Sequence, residues 1–252
     1  MQKQHKILMI LPVPMPSEAL ANFAAQIPPA LLRDDIQVDF VAAKSGGVIL
    51  DSYYEMTLAD AFSLEAGMRA ENEGYSAICV NSMSDSGINA LRSRLNIPVI
   101  GPGQSCVLLA CMLGEKFSIL TMWERWHPLY KKVINEQGLN HRLASIRNID
   151  VRPDAQELLA GKEDVVFSKL LDQANLAIQQ DQADVIILGS TTMQQSYEYL
   201  RANLSVPVLN PGLVALKMCE MQIDLKLTHS KTTYISPELI SDAAFDPVKP
   251  TF

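Results

Sequence analysis

The sequence predicts an α/β protein of two pseudo-symmetric lobes, each a short parallel sheet flanked by helices, with a ligand site in the cleft between them. Three observations carry this expectation. Eight short Val/Ile/Leu-rich runs do not alternate apolar with polar residues, which is the pattern of strands buried on both faces. Segments of helical periodicity lie between most of them, the order expected of a parallel sheet covered by helices. The stretch 76–103 recurs in modified form as 184–212.

The strands are read from "KILMIL", "VDFVA", "SAICVN", "PVIG", "FSILT", "SIRNI", "DVIILGS" and "PVLNP". Among the helices, "MTLADAFSLEAGMRAENEG" opens on a Thr57 cap and closes at Gly74. "PLYKKVINEQG" starts on Pro128, a residue suited to a first helical turn. "DVVFSKLLDQANLAIQQDQ" and "GLVALKMCEMQ" are two more, and Cys106 and Cys111 share an apolar helix.

The repeat sets the architecture. "SAICVNSMSDSGINALRSRLNIPVIGPG" and "DVIILGSTTMQQSYEYLRANLSVPVLNPG" each run strand, Ser at the tip, helix bearing Leu-Arg, then "xxPVxxxPG". Ser82 to Pro98 is 16 residues and Ser190 to Pro207 is 17, so the copies differ by one insertion. Chance likeness of two unrelated strand–helix–strand units is the alternative. The repeat predicts one lobe of residues 1–113 with 215–252, to which the C-terminal helix returns, and a second of 114–214. Ligands of open α/β sheets bind beyond the carboxyl ends of the strands. Ser82 and Ser190 are therefore expected to contribute two halves of one site.

Composition narrows the partners. The chain has 252 residues, a net charge of −7, and no run of Lys or Arg, which argues against nucleic acid or an anionic membrane. The stretch from Asn96 to Gly114 carries no charged residue and is nearly long enough to span a bilayer, but opens "NIPVIGPGQS", which cannot run as one membrane helix. Pro12, Pro14 and Pro16 cut "KILMIL" short of a signal-peptide core. Cys79, Cys106, Cys111 and Cys219 form no CxxC pair and have no His at metal-ligand spacing, so reduced buried thiols and a cytoplasmic location are expected. "GPGQS" lacks the third Gly of a dinucleotide loop, and neither GxxxxGK[ST] nor GxSxG occurs. No cofactor and no metal are predicted. The tail from Thr228 onward, polar and broken by Pro, reads as a loose extension or an arm across a neighbouring subunit.

The two tips resemble those of the aspartate/glutamate/hydantoin racemase superfamily, closest to its hydantoin racemase branch. That branch ends one strand in Cys-Phe-(Ser/Gly)-Asp-Pro-Gly and a later one in Leu-Gly-Cys-Ala-Gly-Met; the matching stretches are "SMSDSG", 82–87, and "LGSTTM", 188–193. "NIPVIG", "FSILT" with Pro128 following, "DSYYE" and "PVLNPGLVALK" are further matches. The resemblance implies a cofactor-independent enzyme in which two facing cysteines move a proton on the carbon beside a carbonyl. A homo-oligomer is implied by the family alone.

This chain departs where that mechanism is centred, because Ser82 and Ser190 occupy both cysteine positions. A thiol titrates near about 8.5. A hydroxyl titrates far higher and is a poor base near neutral pH. Both serines fit hydrogen bonding to a carboxylate; proton transfer by one of them, or an introduced Cys→Ser exchange, are the other readings. The branch also carries Asn-Pro-Asn after its first strand, where this chain has Leu11-Pro12-Val13. Loss of both amides implies a ligand with an apolar substituent at that place.

The site expected from these residues has Ser82 and Ser190 as catalytic groups, with Pro12, Val13, Tyr54, Asn81, Met83, Thr121, Thr191 and Thr192 binding substrate. Backbone N–H groups following each serine form an anion site as helices begin. Asp85 reads as an N-cap or first-turn acid, and Gly87 and Gly189 as positions of tight packing. His127, in "TMWERWHP", is either a proton carrier or a surface residue, and Trp123 and Trp126 shape an apolar wall or cover the cleft. The substrate is expected to be a small anionic or cyclic-amide molecule. Racemisation or tautomerisation through an enolate-like state leads. Decarboxylation of a malonate-type acid, hydrolysis by a serine with His127, and silent anion binding are the alternatives.

Overall fold

The computed structural model describes residues 5–152, 163–191 and 193–252. Strands and helices alternate from the start: β1 (His5–Leu11), α1 (Ser17–Ala25), β2 (Ile36–Ala42), α2 (Tyr53–Gly67), β3 (Ala77–Val80), α3 (Ile88–Arg94), β4 (Val99–Ile100) and α4 (Pro102–Leu113). The order then repeats as β5 (Phe117–Thr121), α5 (His127–Glu136), β6 (Leu143–Asn148), α6 (Glu163–Gln179), β7 (Val185–Leu188), α7 (Gln194–Asn203), β8 (Val208–Leu209) and α8 (Pro211–Asp224). All eight expected strands are present, within a residue or two of their expected ends.

The two sheets are four-stranded, all parallel, and identical in order: β2-β1-β3-β4 and β6-β5-β7-β8. The internal repeat is visible in individual hydrogen bonds. Ile78 N–H donates to the Pro98 carbonyl at 2.9 Å, and Ile186 N–H donates to the Pro207 carbonyl at 2.9 Å. At the strand tips, Asn81 N–H donates to Ile10 at 2.7 Å and Gly189 N–H donates to Leu120 at 2.7 Å. Ser82 and Ser190, the next residues, are thus topologically equivalent.

Alternation along β1 explains why its sequence is apolar from Ile7 to Leu11. Ile7 and Met9 pack on one face with Cys79, Ile100 and, from α8, Ala215, Leu216 and Cys219. Leu8 and Ile10 pack on the other with Ile78, Val80, Leu91 and Val99. Each such fully buried side chain contributes about 1.5–3 kcal/mol of apolar burial. In the second sheet Leu120, Ile186 and Leu188 share a core with Leu170 and Ala174 of α6 and Leu200 of α7.

The chain divides into two compact units, residues 1–102 with 215–252, and 103–214. Helix α4 therefore counts with the second unit, not with the first as residues 1–113 had implied. Its packing explains this. Arg142 donates to the carbonyls of Cys111 and Gly114 at the end of α4, at 3.3 and 2.6 Å, and Gln104 bonds Gln137 at 2.9 Å.

Two local expectations are corrected. Helix α2 starts earlier than the Thr57 cap implied: Ser52 is its N-cap and accepts the Glu55 N–H, and the helix ends at Gly67, well before Gly74. The tail is not a loose arm. Lys231 Nζ donates to the carbonyls of Arg92, Ser93 and Leu95 at 2.6–3.1 Å, satisfying the open end of α3. His229 Nε2 accepts the Val99 N–H of edge strand β4 at 2.8 Å, Arg94 pairs with Asp242, and Phe245 packs edge-on against Phe62. Long-range partners, invisible in a polar and Pro-punctuated segment, order it.

Cys79, Cys106 and Cys219 are buried free thiols and Cys111 is partly exposed. Among the described residues, no helix is long and apolar enough to cross a membrane, and no group of three or more His, Cys, Asp or Glu side chains is placed to hold a metal.

Candidate active site

Strand β3 delivers its chain to the carboxyl edge of the first sheet, where Asn81 and Ser82 follow Val80. Asn81 is buried, Ser82 is partly exposed, and Met83 sends its side chain into the core. The Ser82 N–H donates to Val80 at 2.7 Å, and the Ser84, Asp85 and Gly87 amides are used within the turn or on Asp60. The expected row of free amides after Ser82 is therefore shorter than anticipated. Among the described residues, the Met83 and Ser86 amides have no partner. The Ser82 hydroxyl lies 2.9 Å from Ser84 Oγ, which lies 2.7 Å from Ser86 Oγ, and Ser84 and Ser86 are buried.

Asp85 is buried and left-handed, with φ +50°. It does not cap α3, whose N-cap is Gly87. Its carboxylate instead approaches Gly101 so closely that a Cβ there would sit 2.5 Å from it. In the second copy the equivalent position is Asn210, whose own Oδ1 accepts the Leu213 N–H of α8 at 3.2 Å. Asp85 thus has a structural task, as expected, but against Gly101 and not at the start of α3.

In the second unit β7 ends at Leu188, followed by Gly189 and Ser190. Ser190 is partly exposed and Thr191 buried; Thr192 lies outside the described residues. Thr121 is fully buried, and its hydroxyl bonds Tyr130 Oη at 2.7 Å. Tyr130 in turn donates to the Gly189 carbonyl at 2.7 Å. Thr121 is therefore placed to brace the tip through Tyr130, and its hydroxyl is already engaged. Burial pushes the Tyr130 phenol well above its usual pKa, which keeps it a donor. A Cβ on Gly189 would meet Tyr130 Oη at 2.7 Å, and one on Gly87 the Asp60 carbonyl at 2.5 Å, so both are positions of close approach. Tyr130 was not anticipated as part of the tip. Its place on the buried face of α5, three residues after His127, is the one sequence signal pointing to it.

His127 opens α5 and is half-buried rather than a surface residue. It makes a side-chain hydrogen bond to Asn148, while its buried Nε2 has no partner among the described residues. Burial, reinforced by the charge of Lys131, lowers its pKa below the ordinary value, so the ring is neutral at pH 7. Trp123 and Trp126 pack against the core of the second sheet. In the first unit, Pro12 is buried, Val13 partly exposed, and Tyr53 and Tyr54 largely exposed at the start of α2. Glu55 accepts the amides of Val48, Ile49 and Leu50 at 3.2, 2.7 and 2.6 Å, fixing the loop that precedes these tyrosines at the carboxyl edge.

Residues 17–219 match the Asp/Glu/Hydantoin racemase family. The chain belongs to this family. It is accordingly an enzyme of the racemase superfamily. A hydantoin racemase of Pseudomonas sp. (strain NS671) is 30% identical over 212 residues, 82% of each chain. Among solved structures, the allantoin racemase of Pseudomonas fluorescens is 26% identical with a TM-score of 0.82, over 94% of this chain and 98% of that one. The allantoin racemase of Klebsiella pneumoniae has a TM-score of 0.84 at 23% identity, over 94% and 95%, a likeness of fold.

Proposed function

We propose that the protein isomerises a small cyclic amide of the hydantoin type, or a related carboxylate, through an enolate-like state and without a cofactor. The observation that carries this reading is the equivalence of Ser82 and Ser190. Both follow the third strand of a duplicated sheet, both are partly exposed, and the side chains of Asn81, Met83 and Thr191 beside them are buried. Membership of the racemase family, and the names of the similar proteins, support the substrate class.

In this reading the C–H bond beside the substrate carbonyl breaks, its proton passes to the neutral His127 imidazole, its electron pair moves onto the carbonyl oxygen, and the His127 imidazolium returns a proton to carbon. Ser82 donates a hydrogen bond to the negative charge that develops, helped by the Met83 amide, and Ser190 has the same donor role at its own strand tip. Donors aimed at charge that develops in the reaction stabilise the transition state more than the ground state, in which that charge is absent. Val13, with Tyr54, takes the apolar substituent of the ring.

Solvent deuterium exchange into 5-benzylhydantoin, hydantoin and phenylmalonate, followed by NMR, tests the reading. Deuterium entering the ring carbon of a hydantoin supports it. Loss of carbon dioxide from phenylmalonate with no exchange into hydantoins replaces it by decarboxylation. Neither reaction, with ligand binding retained, means a silent anion-binding protein.

A further inference from the structure

The three serines 82, 84 and 86 form a hydroxyl chain whose direction can be deduced. Ser82 Oγ and Ser84 Oγ are 2.9 Å apart, and Ser84 Oγ and Ser86 Oγ 2.7 Å apart. Ser82 Oγ also accepts the backbone N–H of Ser84 at 3.3 Å. A hydroxyl has one proton to donate and two lone pairs to accept with.

Two directions are open to the chain. If Ser82 donates to Ser84 and Ser84 to Ser86, the Ser86 proton is left buried with no acceptor, because Ser86 Oγ has no other partner among the described residues. A buried donor without an acceptor is costly. If Ser86 donates to Ser84 and Ser84 to Ser82, every buried proton is used and only the Ser82 proton remains free. Ser82 is the one member of the chain that is partly exposed. The second direction is the one that leaves nothing unsatisfied.

We infer that Ser84 and Ser86 are positioning residues that turn the Ser82 hydroxyl into an outward-facing hydrogen-bond donor for an anionic oxygen of the substrate. With the N–H and O–H of Ser84 both directed at Ser82 Oγ, its two lone pairs are occupied. Ser82 therefore has no free lone pair with which to remove a proton, and its part is donation, not base catalysis. Hydrogen bonds in a chain polarise one another, so two buried donors also strengthen the third. No proton leaves the chain in this role. The inference deepens the reading of the site given above and rests on it for the identity of the acceptor.

A neutron structure of the deuterated protein reads the direction itself, whatever the substrate. Deuterons on Ser86 and Ser84 pointing along the chain towards Ser82, with the Ser82 deuteron pointing away from Ser84, are expected. A Ser82 deuteron directed at Ser84 overturns the inference. Kinetics of deuterium exchange into 5-benzylhydantoin then separate the two levels of the argument. Ser82→Ala and Ser84→Ala should each lower kcat about tenfold with little change in KM, and Ser84→Thr, which keeps the hydroxyl, should restore it. Ser86→Ala should act in the same direction, more weakly. Wild-type kcat in Ser84→Ala and Ser86→Ala, beside an impaired Ser82→Ala, contradicts the positioning role alone. Wild-type kcat in Ser82→Ala contradicts the proposed function.

Discussion

The Asp85 carboxylate fills the space that a side chain on Gly101 would need. It lies 2.5 Å from the position of a Cβ there, at the entrance to α4. Asn210 caps α8 from within its own repeat, whereas the first repeat has Gly101 at that position and brings an acid from the Ser82 turn. The shape of the Ser82 turn is thereby tied to the residue that follows β4.

Gly101→Ala should therefore displace Asp85 and cost about 1–3 kcal/mol, the usual penalty of overpacking a filled site. Equilibrium unfolding in urea measures it. A midpoint equal to that of the wild type means that Asp85 is not held against Gly101.

Tyr130→Phe removes a hydroxyl that serves two buried partners, Thr121 and the Gly189 carbonyl. A loss of about 1–3 kcal/mol follows from leaving them unsatisfied. Thermal unfolding reads the loss, and Thr121→Val should give a smaller one, because the Tyr130 bond to Gly189 survives.

His229 links acid stability to the tail. Burial, with the charge of Arg92 second, lowers its pKa from 6.5 to about 4, and its Nε2 must be unprotonated to accept from Val99. The unfolded chain binds a proton near pH 6.5 and the folded one does not, so this stabilisation is complete above pH 6.5. It is lost as the pH falls from 6.5 towards 4. Discounted for partial exposure, the change is about 1–2 kcal/mol. His229→Gln should flatten the dependence of the unfolding midpoint between pH 7 and pH 4; an unchanged slope means that His229 does not titrate with the fold.

The Glu55 carboxylate, bonded to three successive amides, should make the loop at Val48, Ile49 and Leu50 rigid. Amide hydrogen exchange at these positions is expected to accelerate by about tenfold or more in Glu55→Ala, since each bond to a charged group contributes about 1.5–3 kcal/mol. Equal exchange in both proteins would rule out that anchoring.

Much of this architecture was legible in sequence because it depends on local pattern. Eight apolar runs gave eight strands, and the duplicated "PVxxxPG" with its serine tip marked the repeat that the matching sheet orders display. What sequence did not reveal depends on contacts between distant residues. Asp85 looks like an ordinary helix cap until Gly101 is seen beside it. Thr121 looks like a ligand-facing residue until Tyr130 engages its hydroxyl. The tail looks unstructured until Lys231 and His229 meet the open groups of α3 and β4. The serine chain was half-visible: "SMSDSG" shows the spacing, but only the turn brings alternate hydroxyls together.

The central claim is that the hydroxyls of Ser82 and Ser190 each stabilise charge that develops in the reaction. Values of kcat/KM for hydantoin deuterium exchange in the wild type, Ser82→Ala and Ser190→Ala test it most directly. Each variant should lose about tenfold or more. A variant that keeps full activity would contradict it.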